Sequence, residues 1–231
     1  MESRQFTEEQ IKIEQANFIA KVYGWMSAAL VLTGLTAWYV AQTEEIILAL
    51  ISNKILFYGL LIGEVLLVGY ISKALPTMNV NTAKALFFLY AIANGVTLSL
   101  IFVIFTASSI ASSFFITAGT FAVMSMYGYF TKSDLTSMGK ILMMALIGLI
   151  IASIANIFME SKMLYWIVSY AGVFIFTGLI AYDTQKIKEM NIIGNEGTDE
   201  DTKESLVGAL TLYLDFINLF LFILRIFGDR K

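Results

Sequence analysis

The sequence predicts an all-α membrane protein with seven transmembrane helices. Three observations carry this prediction: 58% of the 231 residues are hydrophobic, only 14% are charged, and the chain contains a single proline. A soluble domain rarely has this balance, whereas a helical bundle in lipid requires it, because the bilayer core accepts few charges. Strands of a membrane barrel would alternate polar and apolar residues, and the long apolar runs of this chain do not.

Seven apolar runs approach the length of about 20 residues that a helix needs to cross a membrane. We expect them near residues 22–42, 55–72, 83–106, 110–130, 140–159, 164–182 and 206–227. The first three have polar or charged flanks, and only the Ser/Thr-rich joint TASSIASS separates the third from the fourth. The runs predict three regions: an N-terminal arm over residues 1–21, a transmembrane domain over 22–227 and a short C-terminal tail over 228–231.

The basic residues predict the orientation, because lysine and arginine are enriched in cytosolic loops. The arm lacks the basic start, apolar core and cleavage site of a signal peptide, so we expect it to be retained in the cytosol. With the N-terminus inside, the cytosolic side holds Arg4, Lys12, Lys21, Lys73, Lys84, Lys132, Lys140, Lys186, Lys188 and Lys203. The far side holds Lys54, Lys162, Arg225, Arg230 and Lys231. We therefore predict an integral protein of the inner or plasma membrane with a cytosolic N-terminus. The basic C-terminal tail lies on the unusual side if all seven helices cross, so either the tail is translocated or the last helix does not span fully.

Composition also narrows the chemistry. The chain has no cysteine and no histidine, which removes disulfides, thiolate metal sites and the commonest general base. Its net charge of -3 argues against nucleic-acid binding. An intramembrane aspartyl protease would need a GxGD motif, whereas the last acid of the apolar runs stands in LYLD. We expect no enzyme activity and no tightly bound cofactor.

Asp215 is the strongest candidate for a functional residue, because it interrupts the apolar run LTLYLDFINLFLFILRIF. An ionised aspartate at the middle of a membrane helix costs roughly 2.5–3.5 kcal/mol, so it usually faces a partner or a wet cavity. Since a helix turns about 100° per residue, Thr211, Asp215 and Asn218 fall on one side of the helix. That side is predicted to face protein or water, with a purely structural hydrogen bond as the alternative role for Asp215.

Two more acids lie in or beside apolar runs. Asp183, in GLIAYDTQKIK, is by itself typical of a solvated helix end. If it approaches Asp215, however, the two carboxylates cannot both ionise cheaply, and the pair becomes a proton switch and a weak pair of oxygen ligands for Ca²⁺. Glu64, in GLLIGEVLLVGY, lines a pore or makes a structural hydrogen bond. The acidic stretch NEGTDEDTKE lacks the order of an EF-hand loop, so we expect it to be solvated.

The segments LTLYLDFINLF, IFTGLIAYDTQKIK and ASIANIF resemble bacterial members of the Bax inhibitor-1 family. The resemblance implies a fold of six helices wrapped around a central C-terminal helix, and it implies a pH-sensitive calcium leak. It also implies that Asp183 and Asp215 form the pH sensor and gate, and that Glu64 is the acidic residue of the second helix. The family has a latch arginine late in that helix. Here the matching position holds Leu75, and Lys73 is the nearest basic residue.

The functional prediction is a calcium leak channel gated by protonation of a buried aspartate pair. Glu64 and Asn218 would lie along the ion pathway, Lys73 would be the latch, and the aspartates would be weak Ca²⁺ ligands. Calcium would be the transported ion, protons the gating ligand, and the lipid bilayer the permanent partner. The alternative is a regulator of a membrane protease or other membrane partner without transport activity. A proton-coupled carrier is a third possibility.

Overall fold

The computed structural model describes residues 7–231, which fold almost entirely into helices. In chain order these are α1 (Glu8–Ala41), α2 (Glu44–Ser52), α3 (Lys54–Ala74), a short 3₁₀ turn (Leu75–Thr77), α4 (Val80–Ile104), α5 (Ala107–Phe130), α6 (Thr136–Met159), α7 (Lys162–Met190) and α8 (Asp199–Phe227). Seven of these helices, all except α2, are long and apolar enough to cross a membrane. The all-α class and the seven membrane helices are therefore confirmed.

The helices extend beyond the apolar runs that predicted them. Helix α1 begins at Glu8, inside the predicted arm. The Thr7 hydroxyl accepts a hydrogen bond from the Gln10 amide, and the Gln10 side-chain oxygen accepts one from the Thr7 amide. The first six residues of the arm lie outside the described residues. Helix α7 continues to Met190 and α8 starts at Asp199, because polar residues extend a helix past the membrane boundary without interrupting its backbone hydrogen bonds. The nine-residue α2 was not predicted, since it is too short to span.

Among the described residues, the first compact unit contains residues 7–100 and Ile187–Leu210. Within it, α1 and α4 pack closely, because a Cβ added to Gly95 would stand 2.7 Å from the Thr33 carbonyl oxygen. The Thr33 hydroxyl also donates a hydrogen bond of 2.9 Å to the Ala91 carbonyl. Small residues thus bring the two helix backbones together, as is common where helices associate in lipid.

The second compact unit contains Ile101–Lys186 and Thr211–Lys231. Gly128 of α5 lies against the backbone of Ala181 in α7, and the hydroxyls of Ser125 and Thr184 are 3.0 Å apart. Gln185 fastens the α5–α6 loop, since its Oε1 accepts from the Leu135 amide at 2.8 Å. These contacts fix α7 where it carries Asp183.

Helix α8 is the most buried of the seven spanning helices. In its most apolar stretch of 18 residues, 67% of the residues are buried, against 11% to 39% in the other six. A helix this enclosed is able to carry polar residues at membrane depth without exposing them to acyl chains. The central position of α8 among six helices stays a prediction.

Candidate functional site

Asp183 of α7 and Asp215 of α8 meet inside the second unit. Asp183 is 9% exposed and Asp215 is 6% exposed, and both carboxyl groups line one cavity, close enough to interact electrostatically. Two carboxyls share a hydrogen bond only when one of them holds a proton, because an ionised carboxylate only accepts. The structure therefore brings together the two acids that sequence reasoning paired, in an arrangement where one proton affects both.

A cavity of about 610 Å³ lies beside the pair, between α6, α7 and α8. Thr211, Asp215 and Asn218 all line it, as the helical spacing of these three residues predicts. Asp183 and Lys186 line it from α7, while the surface contributed by α6 is almost entirely apolar. The cavity thus joins an apolar wall to a polar face that carries two carboxyls and one exposed ammonium group.

Two oxygen atoms, one in the aspartate pair and one beside it, are available to a cation or a proton. Asp215 Oδ2 is buried and has no hydrogen-bond partner among the described residues. The Asn218 amide nitrogen donates to the Leu214 carbonyl at 2.8 Å, so its side-chain oxygen remains an acceptor. A buried acceptor without a donor is costly, and such atoms mark sites where an ion, a proton or water is expected.

Glu64 makes a polar contact within the first unit. It lies in α3, is 8% exposed, and accepts a hydrogen bond from the Thr97 hydroxyl of α4. Its neighbours Val65 and Leu66 are each 68% exposed, as side chains facing lipid would be. Glu64 is therefore turned toward α4 and held by one neutral donor, which suits both a structural acid and an acid beside an ion path.

The latch predicted at Lys73 remains a prediction. Lys73 is exposed in the last turn of α3, and Leu75, at the position matched to the family's arginine, is fully buried. Lys73 takes part in neither the Lys21–Asp201 ion pair nor the Lys203–Glu200 ion pair. Within residues 7–231, the structure does not bring Lys73 into a salt bridge.

The described residues contain no group of three or more acidic, histidine or cysteine side chains that could hold a metal ion. Asp183 and Asp215 supply two carboxyls, whereas a tight calcium site needs 6–8 oxygen ligands. The donor set fits weak, transient calcium contact better than a resident ion, and the role of the pair as weak ligands stays a prediction.

The structure reveals a polar cluster that the sequence did not predict. Asp201 is 1% exposed, pairs with Lys21 of α1 and accepts from the Gly197 amide at 2.8 Å. Glu14 of α1 accepts from the Gly194 amide at 2.6 Å. The expectation that the acidic stretch is solvated is therefore wrong for Asp201, because α1 covers it. No local pattern indicates contacts between residues 180 positions apart.

We expect Asp201→Asn to loosen the α7–α8 loop. The variant keeps an acceptor for the Gly197 amide but loses the charge that attracts Lys21, so amide exchange over residues 191–198 should speed up by about tenfold, the equivalent of ~1.4 kcal/mol. Hydrogen–deuterium exchange with peptide mass spectrometry measures this. Asp199→Asn is the control, because Asp199 is exposed at the start of the same helix. Equal exchange in both variants would contradict a fastening role for Asp201.

Seven apolar helices with acidic residues enclosed between them define a polytopic integral membrane protein. The sequence profile of the family described as "Inhibitor of apoptosis-promoting Bax1" matches residues 15–231. The chain therefore belongs to the Bax inhibitor-1 family.

Similar proteins agree with this membership. The chain is 48% identical over 215 residues to "Inner membrane protein YbhL" of Escherichia coli strain K12, a match that covers 93% of this chain and 92% of the relative. It is 45% identical over 224 residues to an uncharacterized protein of Borreliella burgdorferi, covering 97% of both chains. An uncharacterized protein of Deinococcus radiodurans is 35% identical over 230 residues, covering 100% of this chain and 98% of the relative.

Proposed function

We propose that this protein is a pH-sensitive calcium leak channel, gated by the protonation state of the pair formed by Asp183 and Asp215. One observation carries the proposal: the two buried carboxyls lie together at the wall of a cavity of about 610 Å³. Buried acids inside membrane helices most often serve ion or proton movement. Family membership supports the same reading.

The proton controls the contact between α7 and α8. While the pair holds one proton, its two carboxyls attract each other; when both are ionised, they repel at short range in a medium of low dielectric. When both are protonated, the pair loses its negative charge and its attraction for a cation. Each protonation step changes either the α7–α8 contact or the electrostatic field in the cavity. The sign of the pH response of the calcium leak reports which contact the proton breaks.

Calcium suits the ligands along the proposed path. The Asp183 and Asp215 carboxyls, the Asn218 side-chain oxygen and the Glu64 carboxyl are hard oxygen donors of the kind that Ca²⁺ prefers. Conduction needs binding weak enough for the ion to leave, and a pair of carboxyls with no third acidic ligand grouped with it among residues 7–231 meets that need. We propose that the N-terminus is cytosolic, that protons are the gating ligand and that no cofactor is tightly bound.

We expect Glu64→Gln to lower the calcium leak by about tenfold, the effect of losing ~1.4 kcal/mol of attraction for the ion. Glutamine keeps an oxygen that accepts from the Thr97 hydroxyl, so the substitution removes charge while preserving the packing of α3 on α4. The measurement is calcium entry into dye-loaded liposomes that contain the purified full-length protein. Glu44→Gln, at an exposed position of α2, is the matched control.

The same liposomes test the proposal as a whole. The parent protein should admit calcium at a rate that depends on pH, whereas empty liposomes should not. If the parent gives no leak at any pH, the channel proposal fails, and regulation of a membrane protease or another membrane partner becomes the function to test. Unchanged leak in Glu64→Gln with a leaking parent would remove only Glu64 from the path.

A further inference from the structure

A second cavity, of about 550 Å³, forms where α6 ends, α7 begins and α8 ends. It lies within the second unit and shares no lining residue with the cavity beside the aspartate pair. On α8, Arg225 stands ten residues after Asp215, or about 15 Å along the helix at the usual rise per residue. This second cavity therefore lies further along α8 than the aspartate pair, and it plays no part in the proposed gate.

The lining of this second cavity is strongly basic. Arg225, Arg230 and Lys162 contribute three positive charges, and Glu160 is the single carboxylate among the lining residues. None of these four residues takes part in an ion pair within residues 7–231. Concentrated, unpaired positive charge beside lipid is unfavourable unless an anion neutralises it. The charge balance indicates a negatively charged ligand.

Aromatic side chains contact both guanidinium groups. The Arg225 guanidinium lies 5.3 Å from the ring centroid of Tyr165 and 5.2 Å from that of Phe222. Arg230 Nη2 is 3.4 Å from the Tyr165 hydroxyl oxygen, to which it donates. Aromatic stacking occupies the faces of a guanidinium and leaves its in-plane N–H groups free, and that fork matches the oxygens of a phosphate.

The C-terminal segment keeps Arg230 at the cavity. The Asp229 carbonyl accepts from the Thr106 amide at 3.0 Å, and the Lys231 amide donates to the Ile104 carbonyl at 2.9 Å. Arg230 itself pairs with Phe105 in an isolated antiparallel bridge. Backbone pairing on both sides of Arg230 reduces the entropy lost when its side chain binds a ligand.

The surroundings of the cavity are apolar and exposed. Phe158 is 83% exposed, Met163 75% and Phe227 64%, and all three lie at the helix ends that build the cavity. Trp166 lines the cavity and stacks on Tyr170 at 5.9 Å, in the manner of aromatic side chains that sit at the headgroup level of a bilayer. A ligand here meets positive charge at one end and apolar side chains around it.

We propose that this second cavity binds the headgroup of an anionic phospholipid, whose phosphodiester contacts Arg225, Arg230 and Lys162 while its acyl chains lie along the exposed apolar side chains. Basic pockets between membrane helices bind acidic lipid headgroups. A free phosphate would satisfy the charge but would leave the apolar surroundings unused. The bound lipid also neutralises the basic tail that the orientation prediction places on the unusual side.

The test measures lipid binding by the full-length protein in neutral detergent, using native mass spectrometry with phosphatidylglycerol and with zwitterionic phosphatidylcholine. The parent should retain phosphatidylglycerol in preference to phosphatidylcholine. The double variant Arg225→Gln with Arg230→Gln should bind phosphatidylglycerol at least about tenfold more weakly, since each lost charge-assisted hydrogen bond is worth roughly that factor. Lys54→Gln removes one positive charge outside the cavity and should bind like the parent.

Three outcomes would overturn the proposal: equal retention of both lipids by the parent, unchanged phosphatidylglycerol binding in the double variant, or equal loss in Lys54→Gln. Inorganic phosphate is the competing arm. If it displaces phosphatidylglycerol and protects the protein from thermal unfolding as well as the lipid does, the ligand is a free phosphate and not a lipid. Should the double variant fail to fold, Arg230→Gln alone decides, because Arg230 is exposed and its loss leaves the core intact.

Discussion

The variant Asp215→Asn is expected to lose the pH dependence of calcium leak. Asparagine has nearly the shape of aspartate, and its amide nitrogen is able to donate a hydrogen bond to the Asp183 carboxyl, so the α7–α8 contact survives. The variant therefore mimics a pair that permanently holds one proton. A pH change of one unit changes the protonated-to-ionised ratio of an isolated titrating group about tenfold, and this variant removes that response for the step in which two ionised carboxylates take up one shared proton. Leak into dye-loaded liposomes across the neutral pH range measures it.

Asp134→Asn is the control for the pH profile. Asp134 is exposed in the α5–α6 loop, outside the membrane helices, and its side chain accepts hydrogen bonds from Thr136. These hydrogen bonds hold the pKa of Asp134 below its ordinary value, so this carboxylate stays ionised throughout the neutral range. Its substitution should leave the profile unchanged. A profile that stays steep in Asp215→Asn would show that the proton acts elsewhere.

Gly128→Ala is expected to have the largest effect on stability. A Cβ at this position of α5 would stand 2.9 Å from the carbonyl carbon of Ala181 and 3.0 Å from its Cα, and the backbone of α7 cannot rotate away as a side chain could. Relieving the overlap requires α5 and α7 to separate two residues before Asp183. Overpacking of this kind costs about 1–3 kcal/mol, and a lower Tm with altered calcium leak is the expected result.

Gly119→Ala is the matched control for this substitution. Gly119 lies on the same helix, and a Cβ there would meet nothing within 4 Å. Alanine also favours a helix over glycine by about 1 kcal/mol, so the control should keep or raise the Tm. If both variants have the Tm of the parent, the close approach of α5 to α7 at Gly128 does not stabilise the site.

Hydropathy predicted which parts of the chain form spanning helices, since a membrane imposes a minimum length on every apolar run. It did not predict where helices end. Helix α8 starts at Asp199, several residues before the apolar run, because helix ends depend on capping and on contacts such as that of Asp201 with Lys21. Helix α2 was not predicted, because hydropathy finds runs that are long enough to span a membrane and α2 is far too short.

The sequence predicted part of the candidate site. Helical periodicity placed Thr211, Asp215 and Asn218 on one face, and all three line one cavity. The partner of Asp215 came from the family resemblance, because composition alone describes Asp183 as an ordinary helix end. No sequence pattern predicted the hydrogen-bond donor to Glu64. Thr97 lies 33 residues away on another helix, and only the packing of α3 on α4 brings the two side chains together.

The central claim is that Asp183 and Asp215 act as one proton-binding unit that controls calcium passage. The most direct test is a double-mutant cycle on the pH dependence of leak in liposomes, with Asp183→Asn, Asp215→Asn and the combination of both. Residues that act as a unit show strongly non-additive effects. Each single variant should abolish the pH response, and the double variant should add nothing further. Independent, additive changes from the two substitutions, or a full pH response in either single variant, would contradict the claim.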